Sequence, residues 1–187
     1  LLDNKGKEGI SNLMTSLIDE GTRNFTGIKF KNAMKSNGMK LSFSSQKDRV
    51  DGIFQVISTK KLEGFKLFNE ALNYPRFDVD DIKKVKKQII SSIKIDNSDI
   101  STLASIKFNK HFFNEHSFSA NIKGSVDSLK NITRNDLINF HKKSFQKKNL
   151  IIGVAGDINE KEIKEFVDFV FGKLVDSEDI PELDKFS

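Results

Sequence analysis

The stretch EGISNLMTSLIDEGT, Glu8 to Thr22, gathers the side chains most suggestive of a site. On a helical wheel of ~100° per residue, Asn12, Thr15, Ser16 and Asp19 fall together. An ordinary solvated face carries Lys and Glu, whereas this one is small and mostly uncharged. Such a face suits a surface that lines a cleft, and equally an amphipathic helix whose outer side happens to be Asn, Thr and Ser. As metal donors these groups are weak: neutral amide and hydroxyl oxygens bind Zn²⁺ poorly, and a hard cation such as Ca²⁺ takes several carboxylates.

A second cluster, HFFNEH, sets His111, Glu115 and His116 close together. The two imidazoles are five positions apart, about 140° on a helix, so they diverge instead of converging on one ion. The pattern is that of a helix end with His116 capping or packing. His141 stands beside lysines and is expected on the surface. With no Cys, the chain has no disulfide, no thiolate ligand and no cysteine nucleophile.

The elements that must position these residues follow from periodicity. Ile10, Leu13, Met14, Leu17 and Ile18 make one apolar stripe, which predicts a helix over Glu8 to Glu20 stopped by Gly21. A second helix is expected from about Thr26 to Ser36, closed by Asn37-Gly38. Met39, Leu41 and Phe43 alternate with polar residues, and Ile53 to Ile57 form a second β-rich run, so this stretch predicts an antiparallel hairpin. Helical spacing returns at Leu62, Phe65, Leu67, Phe68 and Leu72 and breaks at Pro75. Asp78 is placed to cap a long helix from about Val79 to Ile95 with Ile82, Val85, Ile89 and Ile93 inward. Further helices are expected from about Ser101 to Phe113, after Thr133, and from Asn159 to about Phe171. Asn149 to Asp157, NLIIGVAGD, has the short apolar run of a central strand. The acidic tail LVDSEDIPELDKFS predicts a linker: a domain over 1–174, then 175–187 leading out of it.

Composition narrows function. The chain has 187 residues, 37% hydrophobic, enough for one core. Its 31 basic and 26 acidic residues leave a net charge of +5, but the lysines are scattered in pairs such as Lys60-Lys61 and Lys142-Lys143. That is a solvated surface, and most of the 17 Phe sit at apolar helix or strand spacing instead of offering stacking platforms, so nucleic-acid binding is not expected. No apolar run approaches the ~20 residues of a transmembrane helix.

The frame Gly9, Leu13, Leu17, Gly21, Thr22 resembles the zinc-binding helix of the pitrilysin/insulinase family of metallopeptidases, which includes mitochondrial processing peptidase. The likeness continues through LFNEALNYPRFDVDDIKKVKKQI, HFFNEHSFSANIKGSVDSLKNITRNDLINFHKKSF and NLIIGVAGDIN. It implies an α+β fold, a mostly antiparallel sheet with long helices packed on one face. Family members begin with two further strands, so the chain is expected to lack its first strands and to expose a sheet edge unless another chain covers it.

The departures carry the functional expectation. The family's His-x-x-Glu-His sets two imidazoles about 40° apart on one zinc, with the Glu polarising a bound water. Those positions here are Asn12, Thr15 and Ser16, and the third ligand, a Glu about 76 residues further on, falls at Ser91 or Ser92. No catalytic residue, metal or cofactor is therefore expected. The resemblance implies a catalytically silent subunit that pairs as a heterodimer with an active zinc-peptidase homologue and helps hold an unfolded or extended peptide. The alternative is a structural scaffold resembling the core proteins of the respiratory cytochrome complex. By the same resemblance the compartment is a bacterial cell envelope or periplasm, or the mitochondrial matrix.

Overall fold

The computed structural model describes residue 3 and residues 6–114 and 116–176. The first helix, α1 (Ile10–Thr15), is shorter than its apolar stripe predicts. Thr15 Oγ1 donates to the carbonyls of Ser11 and Asn12, both at 3.0 Å, and Ser16 Oγ donates to Asn12 at 2.8 Å. Such back-bonding competes with the helical N–H partners. The next turn tightens, with Leu17 N–H reaching Met14 at 3.0 Å, and Gly21 opens a strand instead of ending a helix. The stripe is nonetheless buried: Ile10, Leu13, Met14, Leu17 and Ile18 all belong to the core.

Two short strands, β1 (Gly21–Thr22) and β2 (Phe25–Thr26), pair antiparallel and lead into α2 (Gly27–Ser36). The expected hairpin follows as β3 (Lys40–Ser45) and β4 (Val50–Gln55), in register from Lys40 opposite Gln55 to Ser45 opposite Val50. Helix α3 (Lys61–Asn73) ends before Pro75, and its buried Leu67, Phe68, Ala71 and Leu72 face the core. Helix α4 (Val79–Asp96) buries Ile82, Val85, Ile89 and Ile93, one residue per turn. Asp78 occupies its N-cap position without making a cap bond; its carboxylate pairs with Arg76 at 2.8 Å.

Helix α5 (Ile100–Phe113) buries none of its residues. The short α6 (Val126–Asn131) and then α7 (Arg134–Ser144) and α8 (Glu160–Phe171) follow, each opened by a reciprocal capping box: Ser125 with Ser128, Thr133 with Asp136, Asn159 with Glu162. Phe54, Phe65, Phe68 and Phe166 stack where the hairpin meets α3 and α8; Phe65 and Phe166 have ring centroids 4.4 Å apart. The architecture is the expected α+β one, helices with small antiparallel sheets.

The expected central strand at Asn149 to Asp157 does not form. Lys147–Asn149 make a 3₁₀ turn, and residues 150–157 run on without a strand partner, with Ile151 95% exposed. An apolar run becomes a strand only when another edge pairs with it, and among the described residues none does. At the other end, Val175 is bridged to Gln146, and residues 177–187 of the expected linker lie outside the described residues.

Candidate functional site

The face of α1 is assembled around its N-terminus. Gly9 has φ +92°, and a Cβ there would stand 2.5 Å from the Lys123 carbonyl, so only glycine lets the 121–124 loop close on the helix start. The Asp3 carboxylate accepts from Gly9 N–H at 2.7 Å and Ser11 N–H at 3.4 Å, capping the helix from outside. Burial raises the pKa of Asp3, and these backbone bonds oppose the rise. The opposite side of α1 touches the hairpin, where Ser45 Oγ donates to Ser11 Oγ at 2.8 Å.

Asn12 and Ser16 are half-buried and Thr15 is 4% exposed, so the face is partly covered. Its hydroxyls are committed to carbonyls of their own helix. Asp19 is half-buried, and burial pushes its carboxyl above the usual range. Burial would also raise neighbouring Glu20, but Lys31 and Lys84, each 2.6 Å away, bring it below its ordinary value.

The third position lies on α4, which packs against α1. Of the two candidates, Ser91 is exposed and Ser92 is half-buried. Lys123 Nζ donates to Ser92 Oγ at 2.7 Å and to Asp96 Oδ2 at 2.6 Å. The residue whose backbone closes on α1 therefore also delivers an ammonium to α4. The amide and hydroxyl groups on α1, and a Ser92 hydroxyl bonded to the Lys123–Asp96 pair, do not fit a bound zinc, which takes imidazole, thiolate or carboxylate donors. Among the described residues no cluster of three or more His, Asp and Glu is placed to hold a metal.

The histidines elsewhere serve packing and turns. His111 is exposed, and His116 Nδ1 accepts from Phe118 N–H at 3.1 Å, opening the turn Ser117–Ser119. Glu115, the acid of that cluster, lies outside the described residues. His141 is not on the surface. It is 8% exposed, packed 5.0 Å from the Phe145 ring and 5.9 Å from Phe77. Burial drives its pKa down to about 4. The spacing Leu137, Phe140, His141, all on the buried face of α7, was the available signal. Asp3 carried no such signal because it bonds backbone N–H groups six and eight positions on, outside the usual cap spacing, and Lys123 none because its partners are 31 and 27 positions away.

Comparison with known families places this geometry. Residues 1–100 match the model described as Insulinase (Peptidase family M16), and residues 131–186 match the one described as Peptidase M16 inactive domain. The chain belongs to the insulinase family. Among its curated relatives are the "Non-peptidase homolog YmxG" of Helicobacter pylori, 21% identical over 84% of this chain, and the "Zinc protease PqqE" of the same organism, 24% identical over 86%. The chain spans 36% of the length of each. A solved peptidase M16 inactive domain from Pseudomonas fluorescens superposes with a TM-score of 0.92 at 20% identity, covering 97% of this chain and 44% of that one. Pitrilysin superposes at 0.80 with 13% identity, over 98% of this chain and 20% of its own. The insulinase-family member described here thus shares the fold of these structures across nearly its whole length.

Proposed function

We propose that this chain is a catalytically silent domain of an insulinase-family peptidase, working beside an active zinc-binding homologue. The observation that carries the reading is the donor set. By the motif resemblance, Asn12, Thr15, Ser16 and Ser92 take the family's ligand and base positions, and they carry neither imidazole nor carboxylate; Ser92 is bonded instead to Lys123, which Asp96 holds in an ion pair. The match of residues 131–186 to a model named for an inactive domain, and a relative named as a non-peptidase homologue, support it. In this role the active partner supplies zinc and general base. This chain supplies the opposing wall of the chamber and holds extended peptide by adding it to a sheet edge.

The test is to co-express the chain with a homologue bearing an intact His-x-x-Glu-His helix and to assay unstructured peptides with each protein alone and together. Cleavage confined to the mixture, with a complex on sizing, is the expected result. A partner equally active alone, with no complex, replaces this reading with that of a structural scaffold.

A further inference from the structure

Tyr74 is the single tyrosine of the chain, and groups from three elements converge on it. It follows α3, and its backbone is tied on both sides. Tyr74 N–H donates to the Glu70 carbonyl at 3.0 Å, and Arg23 N–H, in the turn between β1 and β2, donates to the Tyr74 carbonyl at 2.9 Å. The Arg23 guanidinium lies over the phenol ring, 3.7 Å from its centroid, and is held there by Glu70 at 2.7 Å. Lys173, just beyond α8, donates to the Tyr74 oxygen at 2.7 Å. Asn73 fixes that end of α8 by donating to the Val170 carbonyl at 2.8 Å. Arg76, two positions on, pairs with Asp78 instead. Lys173 first, and Arg23 after it, hold the Tyr74 hydroxyl below its ordinary pKa. The ring is half-buried, but the bond between its oxygen and Lys173 is open to solvent, so a reagent can reach it.

We propose that Tyr74 is a covalent modification site whose phenol oxygen attacks an activated sulfonyl or phosphoryl donor, with Lys173 and Arg23 as positioning cations. In the step the oxygen forms a bond to sulfur or phosphorus, and the bond to the leaving group breaks. The leaving group departs with the electron pair as an anion, and the phenolic proton goes to water. The two cations act twice. Before the step they favour the phenolate, the nucleophilic form of a group that is weak at its free pKa. During it they stand beside the place where negative charge builds on the transferred group. That second role selects the donor. A tetrahedral sulfur or phosphorus centre presents two or three oxygens, enough to bond an ammonium and a guanidinium together, whereas a planar acyl group presents one. Glu70 acts on the hydroxyl through Arg23, which it holds over the ring. None of these residues stands at a motif position of the zinc helix, so the inference does not rest on the peptidase reading.

The test uses the 187-residue chain and an arylsulfonyl fluoride, with N-acetyltyrosine amide as the free phenol and peptide mass spectrometry to locate the adduct. With one Tyr and no Trp, the ultraviolet absorbance of the phenolate reports Tyr74 alone. Tyr74 is expected to be labelled at neutral pH about threefold faster than the free amide, or more, and to ionise at lower pH. Lys173→Met and Arg23→Gln are each expected to slow labelling and to move the ionisation upward, and Lys173→Arg to keep both near those of the native chain. A fluorophosphonate is expected to rank the variants in the same order. Lys173 is exposed, so Lys173→Met leaves the core untouched, and circular dichroism checks that each variant is folded. Labelling no faster than the free amide, or an adduct on Lys173 in place of Tyr74, would overturn the proposal. So would a rate and an ionisation left unchanged in Lys173→Met, or a different ranking with the fluorophosphonate.

Discussion

At α1 the residues that look catalytic by position are energetically minor, and the apolar ones behind them are not. Leu13 and Leu17 are 0% and 1% exposed, so Leu13→Ala or Leu17→Ala is expected to lower stability by ~2–5 kcal/mol. Asn12→Ala and Ser16→Ala leave the core untouched and are expected to change it by less than about 0.5 kcal/mol. Urea melts of the four variants check this, and a larger loss at Asn12 than at Leu13 would make Asn12 a core residue. His141 gives a pH dependence of definite sign. Its folded pKa is about 4 against an ordinary 6.5, so the unfolded chain binds the proton first as pH falls. Its contribution is fully present above about pH 6.5 and is lost toward pH 4, a change on the order of 3 kcal/mol. Urea midpoints between those pH values should fall in the native chain and flatten in His141→Phe. The sequence made the apolar stripe readable because it depends on local spacing. It hid the burial of His141 behind two lysines, and hid Lys123 entirely, because that ammonium reaches Ser92 across 31 positions.

Elements with their own start signals were the most legible. Thr133 and Asn159 open α7 and α8 with side chains that bond the third helical N–H, and Asn159→Ala is expected to cost ~1 kcal/mol. Asp78→Ala, at an N-cap position without a cap bond, is expected to cost less than about half of that, since its exposed pair with Arg76 contributes little. Denaturant melts of both variants distinguish a bonded cap from one in name only. The two misreadings at this scale have physical reasons. Helix α1 stops early because Thr15 and Ser16 turn their hydroxyls onto the helix carbonyls. NLIIGVAGD has the composition of a strand, but composition cannot supply the neighbouring edge that a strand requires.

For the whole molecule, family membership was carried by the order of weak motifs along the chain, and the fold follows from it. What the order of motifs cannot encode is whether the surviving helix frame still supports chemistry. That depends on donors, and at the positions the resemblance points to the structure has hydroxyls bonded to helix carbonyls and a serine bonded to the Lys123–Asp96 pair. Introducing a single donor, for instance Asn12→His alone, is expected to give no tight zinc site, because zinc takes several imidazole, thiolate or carboxylate donors and Ser16 and Ser92 offer only hydroxyls. The most direct measurement of the central claim is the zinc content of the purified chain after dialysis against a weak chelator. The account predicts no stoichiometric zinc. One tightly held zinc per chain, released by Asn12→Ala or Ser92→Ala, would contradict it.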